Sequence, residues 1–427
     1  MATTLPAELL SLIFQHAHEI SPLATVNCRT HVAAAVCHRW RAVALGNPLL
    51  WRDIHIQRTV DGHKRRPQGL RDLLGLQLQR SGQITLRVRF AYPDSDIAVF
   101  KLLLTTTDRW AVLDIELTGA QRSLLMAYPA VFPSLVTLTL RHVSTLNLGG
   151  LSFAPHVTDV RILGPITPLP AALPWDSVTR CILLYINTEE ALAVLNTAAA
   201  LQAFCVSAGS GVPPGLGPLP PLCTAPALRS LRITRSLEEF VSSLLGKLAA
   251  PDLQSLMLDT LDVPAHVLSP LLRTFISASP GLTSLSLTRV SLSEPDLIAL
   301  LPLLPALTRL AVVWPADVHT RSLIGALTLT GLARTSWLPH LTDLTLVGGL
   351  SVPDTLLFAM LHSRRKTLKR VGLFYAGRTF FFDRSLDGLR AGGMTVDMNF
   401  EVTPGSEYKD DTVEIEDEDP DEPNMDL

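Results

Sequence analysis

Apolar residues recur along most of the chain in the spacing L-x-x-L-x-L. The clearest copies are LVTLTL (135–140), LRSLRI (228–233), LQSLML (253–258), LTSLSL (282–287) and LTDLTL (341–346). Weaker ones start at 157 (VTDVRI), 178 (VTRCIL), 201 (LQAFCV), 307 (LTRLAV) and 368 (LKRVGL), and degenerate ones at 83 (QITLRV) and 110 (WAVLDI). Strict alternation of this kind predicts a strand with one buried face. Between the copies run helical patterns. Ser236 and Glu239 have the spacing of a capping box ahead of Leu237, Phe240, Val241, Leu244, Leu245 and Leu248, which fall on one helical face. Ser293 and Asp296 stand in the same relation to Leu297, Leu300, Leu301 and Leu304. The expected class is α/β, with one strand and one helix for each copy.

Twelve copies whose starts lie 21 to 34 residues apart form an internal repeat. The pattern resembles the leucine-rich-repeat family over residues 83–400, and the resemblance implies an irregular solenoid of strand-plus-helix units. Most copies lack the asparagine that follows the strand in that family, and their lengths vary, which leaves the regularity of the curvature open. An ordinary doubly wound α/β domain is the alternative. The near-constant spacing and the lack of a nucleotide-binding glycine fingerprint weigh against it. Residues 207–226 (SAGSGVPPGLGPLPPLCTAP) read as a Pro/Gly-rich surface loop between repeats.

Residues 1–56 do not share the repeat. LPAELLSLIFQHA places Pro6 and Glu8 in a first helical turn, where both are favourable. Leu9, Ile13 and Ala17 stack along one row of that helix, and Leu10 and Phe14 along a second. A second helix, capped at Thr30, should carry Val36, Trp40 and Val43 as far as the Gly46-Asn47-Pro48 break. So short a segment cannot enclose all these apolar groups, so one face serves its own core and the other calls for a partner. In order, Leu5, Pro6, Glu8, Ile13, Phe14, Val36, Cys37, Trp40, Arg41, Leu50 and Trp51 resemble the F-box, with the helices spread by a long linker (18–30) of the kind common in fungal members.

That resemblance implies a three-helix module docking a Skp-type adaptor, and through it a cullin and RING subunits. On the same analogy Leu5, Pro6, Leu9, Ile13, Phe14, Leu49 and Leu50 would contact the adaptor, while Val36, Cys37, Trp40 and Trp51 would form the module's core. Residues 57–82 would be a linker and connecting helix. The function it implies is client recognition for a cullin-type ubiquitin ligase, in the cytoplasm, the nucleus or both. The alternative is a non-catalytic interaction scaffold whose F-box docks the adaptor without directing ubiquitination.

Charge changes the picture of the two ends. Residues 401–427 hold twelve of the 39 acids and one of the 36 basic residues, so a segment of −11 follows a body of 35 basic and 27 acidic residues, or +8. With few large apolar groups, this segment is expected to be a disordered acidic tail. The five cysteines show no CxxC spacing, and MATTLPAELL has neither the basic n-region nor the apolar h-region of a secretory leader, so an intracellular setting is expected. The most apolar run, 297–314, is interrupted by Pro302, Pro305 and Arg309, so a buried helix, turn and strand fits it better than a membrane span.

Catalytic motifs are sparse. There is no phosphate-binding GxxxxGK[ST], no HExxH and no GxSxG. Ser363-x-x-Lys366 has the spacing of an acyl-enzyme motif without its companions, and Cys28, His31, Cys37 and His38 lack paired metal-ligand spacing. Neither an enzyme, a cofactor, a metal, a nucleic acid nor a membrane is expected. The basic runs HKRRP (63–67) and RRKTLKR (364–370) read as exposed loops, with nuclear import or anion binding as the alternative. In a leucine-rich solenoid the strand residues between the leucines line the concave face, which here would carry Arg87, Arg89, Arg141, Arg161, Arg180, Arg232, Arg309 and Arg370 against Asp114, Glu116, Asp159, Asp259 and Asp343. Arginine forks suit carboxylate and phosphate. Two readings stand: Arg141, Arg161, Arg180, Arg232, Arg309 and Arg370 accept an acidic or phosphorylated client segment, or the arginines pair with neighbouring acids.

Overall fold

Alternating apolar residues are satisfied by stacking strand beside strand, and this is what the chain does. The computed structural model describes residues 5–19, 33–57, 67–91, 97–128, 131–141, 154–165, 173–208, 222–260, 263–314, 320–329, 337–348, 352–374 and 383–397. Fourteen strands form one parallel sheet, and each pairs with the next one along the chain that belongs to it. Such an order has no point of reversal, unlike a doubly wound sheet. Each of the twelve sequence copies contains one of these strands, from Leu86–Ala91 to Arg370–Phe374.

Two strands of the long sheet went unread. Asp53–Gln57 pairs with Leu86–Ala91 and opens the sheet inside the segment assigned to the N-terminal module, and Thr395–Asp397 closes it. The stretch read as a loop at 207–226 is also partly ordered: Ala203–Ala208 is a sheet strand, and Cys223–Thr224 pairs with Leu248–Ala249 in a separate two-stranded sheet. The acidic segment 401–427, the 18–30 linker beyond Glu19 as far as residue 32, the HKRRP run up to Arg66 and the cap at Thr30 lie outside the described residues.

The strands run in near-constant register, so side chains line up in rows across the sheet. On one face two rows are apolar and buried: one leads from Ile54 through Val88, Leu113 and Leu138 to Leu344 and Val371, the other from Ile56 through Phe90 and Ile115 to Leu346 and Leu373. Helices such as Pro67–Arg80, Thr188–Thr197, Glu238–Lys247 and Ala265–Ser277 cover this face and seal a continuous core. The rows between, from residues i−1 and i+1 of each strand, face the other way and are left uncovered by helices.

Helix starts follow local chemistry in part. Ser293 caps Glu294–Leu300, its hydroxyl accepting from the Asp296 amide. Complete capping boxes stand at Thr118/Gln121 and Asn187/Glu190, neither of them foreseen. The box expected at Ser236 does not form. Arg235 is a bulge residue at φ 48°, so Ser236 turns back, donating to the Thr234 carbonyl and accepting from the Ala208 amide (3.1 Å). Leu237 becomes the N-cap and is exposed, whereas Phe240, Val241, Leu244 and Leu245 are buried on the helix as expected; Leu248, expected on the same helix, is buried in the strand Leu248–Ala249 instead.

Cys37, Cys181, Cys205 and Cys223 are free thiols. Burial pushes Cys205 up to about 11, against a smaller pull from the neighbouring Arg232 charge, and holds Cys181 well above an ordinary thiol and Cys223 above it too. The thiolate is the reacting species. Alkylation of the native protein with iodoacetamide at pH 8 should therefore mark Cys37 and spare these three, as read by peptide mass spectrometry. Labelling of Cys205 at the rate of Cys37 would contradict that burial.

Candidate functional site

The N-terminal module closes on a small core of its own. Leu10 and Phe14 from the helix Ala7–Glu19 meet Ala44 from His38–Gly46 and Leu50 and Trp51 from the 3-10 turn Pro48–Trp51, with Trp40 edge-on to Phe14 at 5.0 Å. The Trp51 indole N–H donates to the Ala44 carbonyl (2.9 Å), and Arg39 donates to the Leu5 carbonyl, which ties the chain ahead of the first helix to the second. Asn47 holds the turn by accepting from the Leu49 amide (3.1 Å) and donating to the Ser11 hydroxyl. The second helix is not continuous: residues 33–36 are helical, Cys37 is extended, and its Sγ accepts from the Trp40 amide (3.5 Å) as the cap of His38–Gly46.

Once that core is closed, another helical face remains. Leu12 and Ile13 each lie about one turn from Leu9 on one side of Ala7–Glu19, and Leu9, Leu12 and Ile13 are 46%, 59% and 49% exposed. Leu49 is exposed on the neighbouring turn. Leu12 was not singled out from the sequence. Three assignments change. Phe14 and Leu50, expected to face a partner, are buried in the module because they point at Trp40 and Ala44. Val36, expected in the core, is 56% exposed because the break at Cys37 rotates it outward. Leu5 is half-buried against the core, and Pro6 is exposed.

The module is anchored to the sheet through Trp51. Gln77 Nε2, on the connecting helix Pro67–Arg80, donates to the carbonyls of Asp53 (2.8 Å) and Trp51 (3.3 Å), and the Arg80 guanidinium lies over the Trp51 ring at 4.5 Å. A cation over an indole adds roughly 0.5–1 kcal/mol at an exposed site and more when desolvated.

The uncovered face of the sheet is strongly charged toward its first strands, and the charges are matched. Asp114, buried, accepts from Arg89 and Arg141, each at 2.9 Å. Asp159 takes Arg161 at 3.0 Å and Arg180 at 3.9 Å, and Asp53 takes Arg87 at 3.9 Å. Further along, Asp259 is held by both arms of Arg289 at 2.8 Å, and Asp343 meets Arg370 at 3.9 Å. Of the two readings open from the sequence, pairing describes Arg141, Arg161, Arg180 and Arg370. Arg232 and Arg309 stand apart: neither makes an ion pair or hydrogen bond among the described residues, and Arg232 Nε is buried without an acceptor.

The remaining sequence candidates have structural employment. Ser363 donates to the Met360 carbonyl (2.7 Å) and accepts from the Leu329 amide (3.0 Å), so its hydroxyl is occupied by backbone. Arg364, read as part of an exposed basic run, is buried. It donates to the carbonyls of Leu327, Leu338 (2.8 Å) and Trp337 (2.6 Å), and burial draws its guanidinium down to about 10, which leaves it charged at neutral pH. Among the described residues no cluster of His, Cys, Asp or Glu could hold a metal ion, and no helix is long and apolar enough to cross a membrane.

Residues 2–57 match the F-box-like family. No curated protein matches the chain. An F-box-like domain thus occupies the N-terminus, where the exposed leucine–isoleucine face was found. F-box domains generally bind Skp-type adaptors.

Proposed function

We propose that this chain is the client-recognition subunit of a cullin-type ubiquitin ligase, with residues 83–400 forming an irregular leucine-rich-repeat-like solenoid. The observation that carries the reading is the exposed face of Leu9, Leu12 and Ile13 on a helix whose opposite side, Leu10 and Phe14, already closes the module's core. An apolar face of this size, left over after folding inside an F-box-like segment, suits a Skp-type adaptor. The contacts we assign to the adaptor are Leu9, Leu12, Ile13 and Leu49, with Leu5 and Pro6 at the rim. Phe14 and Leu50 support them from beneath.

In this reading the chain performs no chemistry. It holds a client beside a charged conjugating enzyme bound to the RING subunit, and its contribution to rate is proximity. The work is intracellular, in the cytoplasm or nucleus, where that machinery resides. The test is co-expression of the full chain with a Skp-type adaptor and a cullin, followed by affinity purification. Recovery of both supports the ligase subunit. Recovery of the adaptor without the cullin favours a docking scaffold, and a well-folded chain that captures neither overturns the reading.

A further inference from the structure

Among the described residues, the uncovered sheet face holds two guanidinium groups, Arg232 and Arg309, without an ion-pair partner, and the rest of its chemistry explains why. Arg232 stands in register between Cys205 and Met257, which offer it no charge. Asp259 stands diagonal to it on the next strand, in register with Thr234. Arg289 occupies both carboxylate oxygens of Asp259 from a backbone at φ 54°, held there by its amide's bond to the Val313 carbonyl (2.8 Å). Arg309 is in register with Asp343, but Asp343 turns toward Arg370 and the Thr342 hydroxyl. A buried Nε–H without an acceptor has lost its hydration with nothing in exchange, a deficit that an incoming anion would relieve.

The chain itself supplies one. The row that contains Arg232 continues in register through Met257, Ser286, Ala311, Thr345 and Gly372 to Asp397, at the end of the described chain. Six strand spacings of about 4.8 Å put Arg232 about 29 Å from Asp397. Beyond Asp397 the acids gather at Asp410, Asp411, Glu414, Glu416, Asp417, Glu418 and Asp419. The first of them is 13 residues on, about 43 Å of extended chain at roughly 3.3 Å per residue, so the segment reaches Arg309 and Arg232. The sheet row between them, Met257, Ser286, Ala311, Thr345 and Gly372, carries no charge, and Arg309 lies beside the same row.

We propose that the acidic segment 410–419 docks in cis on the uncovered face of the sheet, its carboxylates capping Arg309 and Arg232. The face is thereby a binding site for an extended acidic segment, occupied by the chain's own residues and available to an acidic client only on exchange. This docking does not require the adaptor reading, and it is tested without the adaptor.

The experiment uses two full-length proteins, the natural chain and a variant whose seven acids in 410–419 are changed to the corresponding amides. A fluorescein-labelled synthetic peptide of residues 401–427 is titrated into each and followed by anisotropy. The expected result is saturable binding to the amide variant, at least tenfold weaker binding to the natural chain, and weakening as salt rises from about 50 to about 300 mM. Adding Arg232→Gln and Arg309→Gln to the amide variant should weaken the peptide by tenfold or more, with an unchanged melting temperature showing that the fold survives. Equal binding to the natural chain and the amide variant would make this an open site in trans and overturn docking in cis. Binding that survives both glutamine substitutions, or no binding to the amide variant, would overturn the site itself.

Discussion

Aspartate at both Leu9 and Ile13 should weaken adaptor capture by at least about a hundredfold while leaving the chain folded. Each side chain is about half exposed, so a partner has only the remaining half to cover. At roughly 1.5–3 kcal/mol for a fully buried side chain of this size, the two together lose about 1.5–3 kcal/mol of contact. The larger share comes from setting two carboxylates against an apolar surface, which costs several kcal/mol each unless they find donors. At a factor of ten for every 1.4 kcal/mol, the sum passes two orders of magnitude. Leu9→Ala/Ile13→Ala, without the charges, should lose far less. Leu10→Asp is the contrasting control: Leu10 is fully buried, so its change should unfold the module rather than spare it. Calorimetric titration with a Skp-type adaptor, beside circular-dichroism melts, separates these outcomes. Undiminished binding by the Leu9→Asp/Ile13→Asp protein would mean that the exposed face is not the docking face.

The second large effect is on stability. Arg364→Ala should cost about 2–5 kcal/mol, because the carbonyls of Leu327 and Trp337 lose their donor and that of Leu338 keeps only the Leu341 amide at 3.3 Å, at roughly 1–3 kcal/mol for each lost bond, offset in part by water entering the space. Leu338 adds to the loss. It sits at φ 52°, a left-handed conformation that a leucine adopts only when its surroundings impose it, and Arg364 is one of the groups that impose it. Arg364→Lys should recover little, since one ammonium on a flexible stem cannot meet three carbonyls that a planar fork meets at once. Urea unfolding followed by tryptophan fluorescence measures this directly. A variant within about 0.5 kcal/mol of the natural chain would show that the three bonds are dispensable.

How much of this was readable beforehand depended on how far each feature reaches. The strand cores were legible because the period of two is written into each short segment: Leu138 and Leu140, or Leu344 and Leu346, announce their own burial. Asp53–Gln57 and Thr395–Asp397 were missed because their apolar residues are too few to make a pattern, two in DIHIQ and one in TVD. The outward direction of the arginines was legible by the same alternation. Their partners were not, because Arg89 and Asp114 are 25 residues apart and meet only through register. The failed cap at Ser236 has its cause in a single bulged residue that shifts the strand end by one place. In the F-box-like module the composition of the core was clear, but the rotation of its pieces was not. A single break at Cys37 sufficed to turn Val36 outward, and nothing local distinguishes Phe14 from Ile13.

The order of strands also bears on how the protein is made. Every strand of the long sheet is joined only to neighbours that leave the ribosome just before or just after it. The pairing around Ser230–Ser236 and Ser255–Thr260 is therefore complete once Ser284–Thr288 has emerged, while more than a hundred residues remain to be synthesised. Growth of the sheet can keep pace with translation, with one exposed edge handed forward from strand to strand.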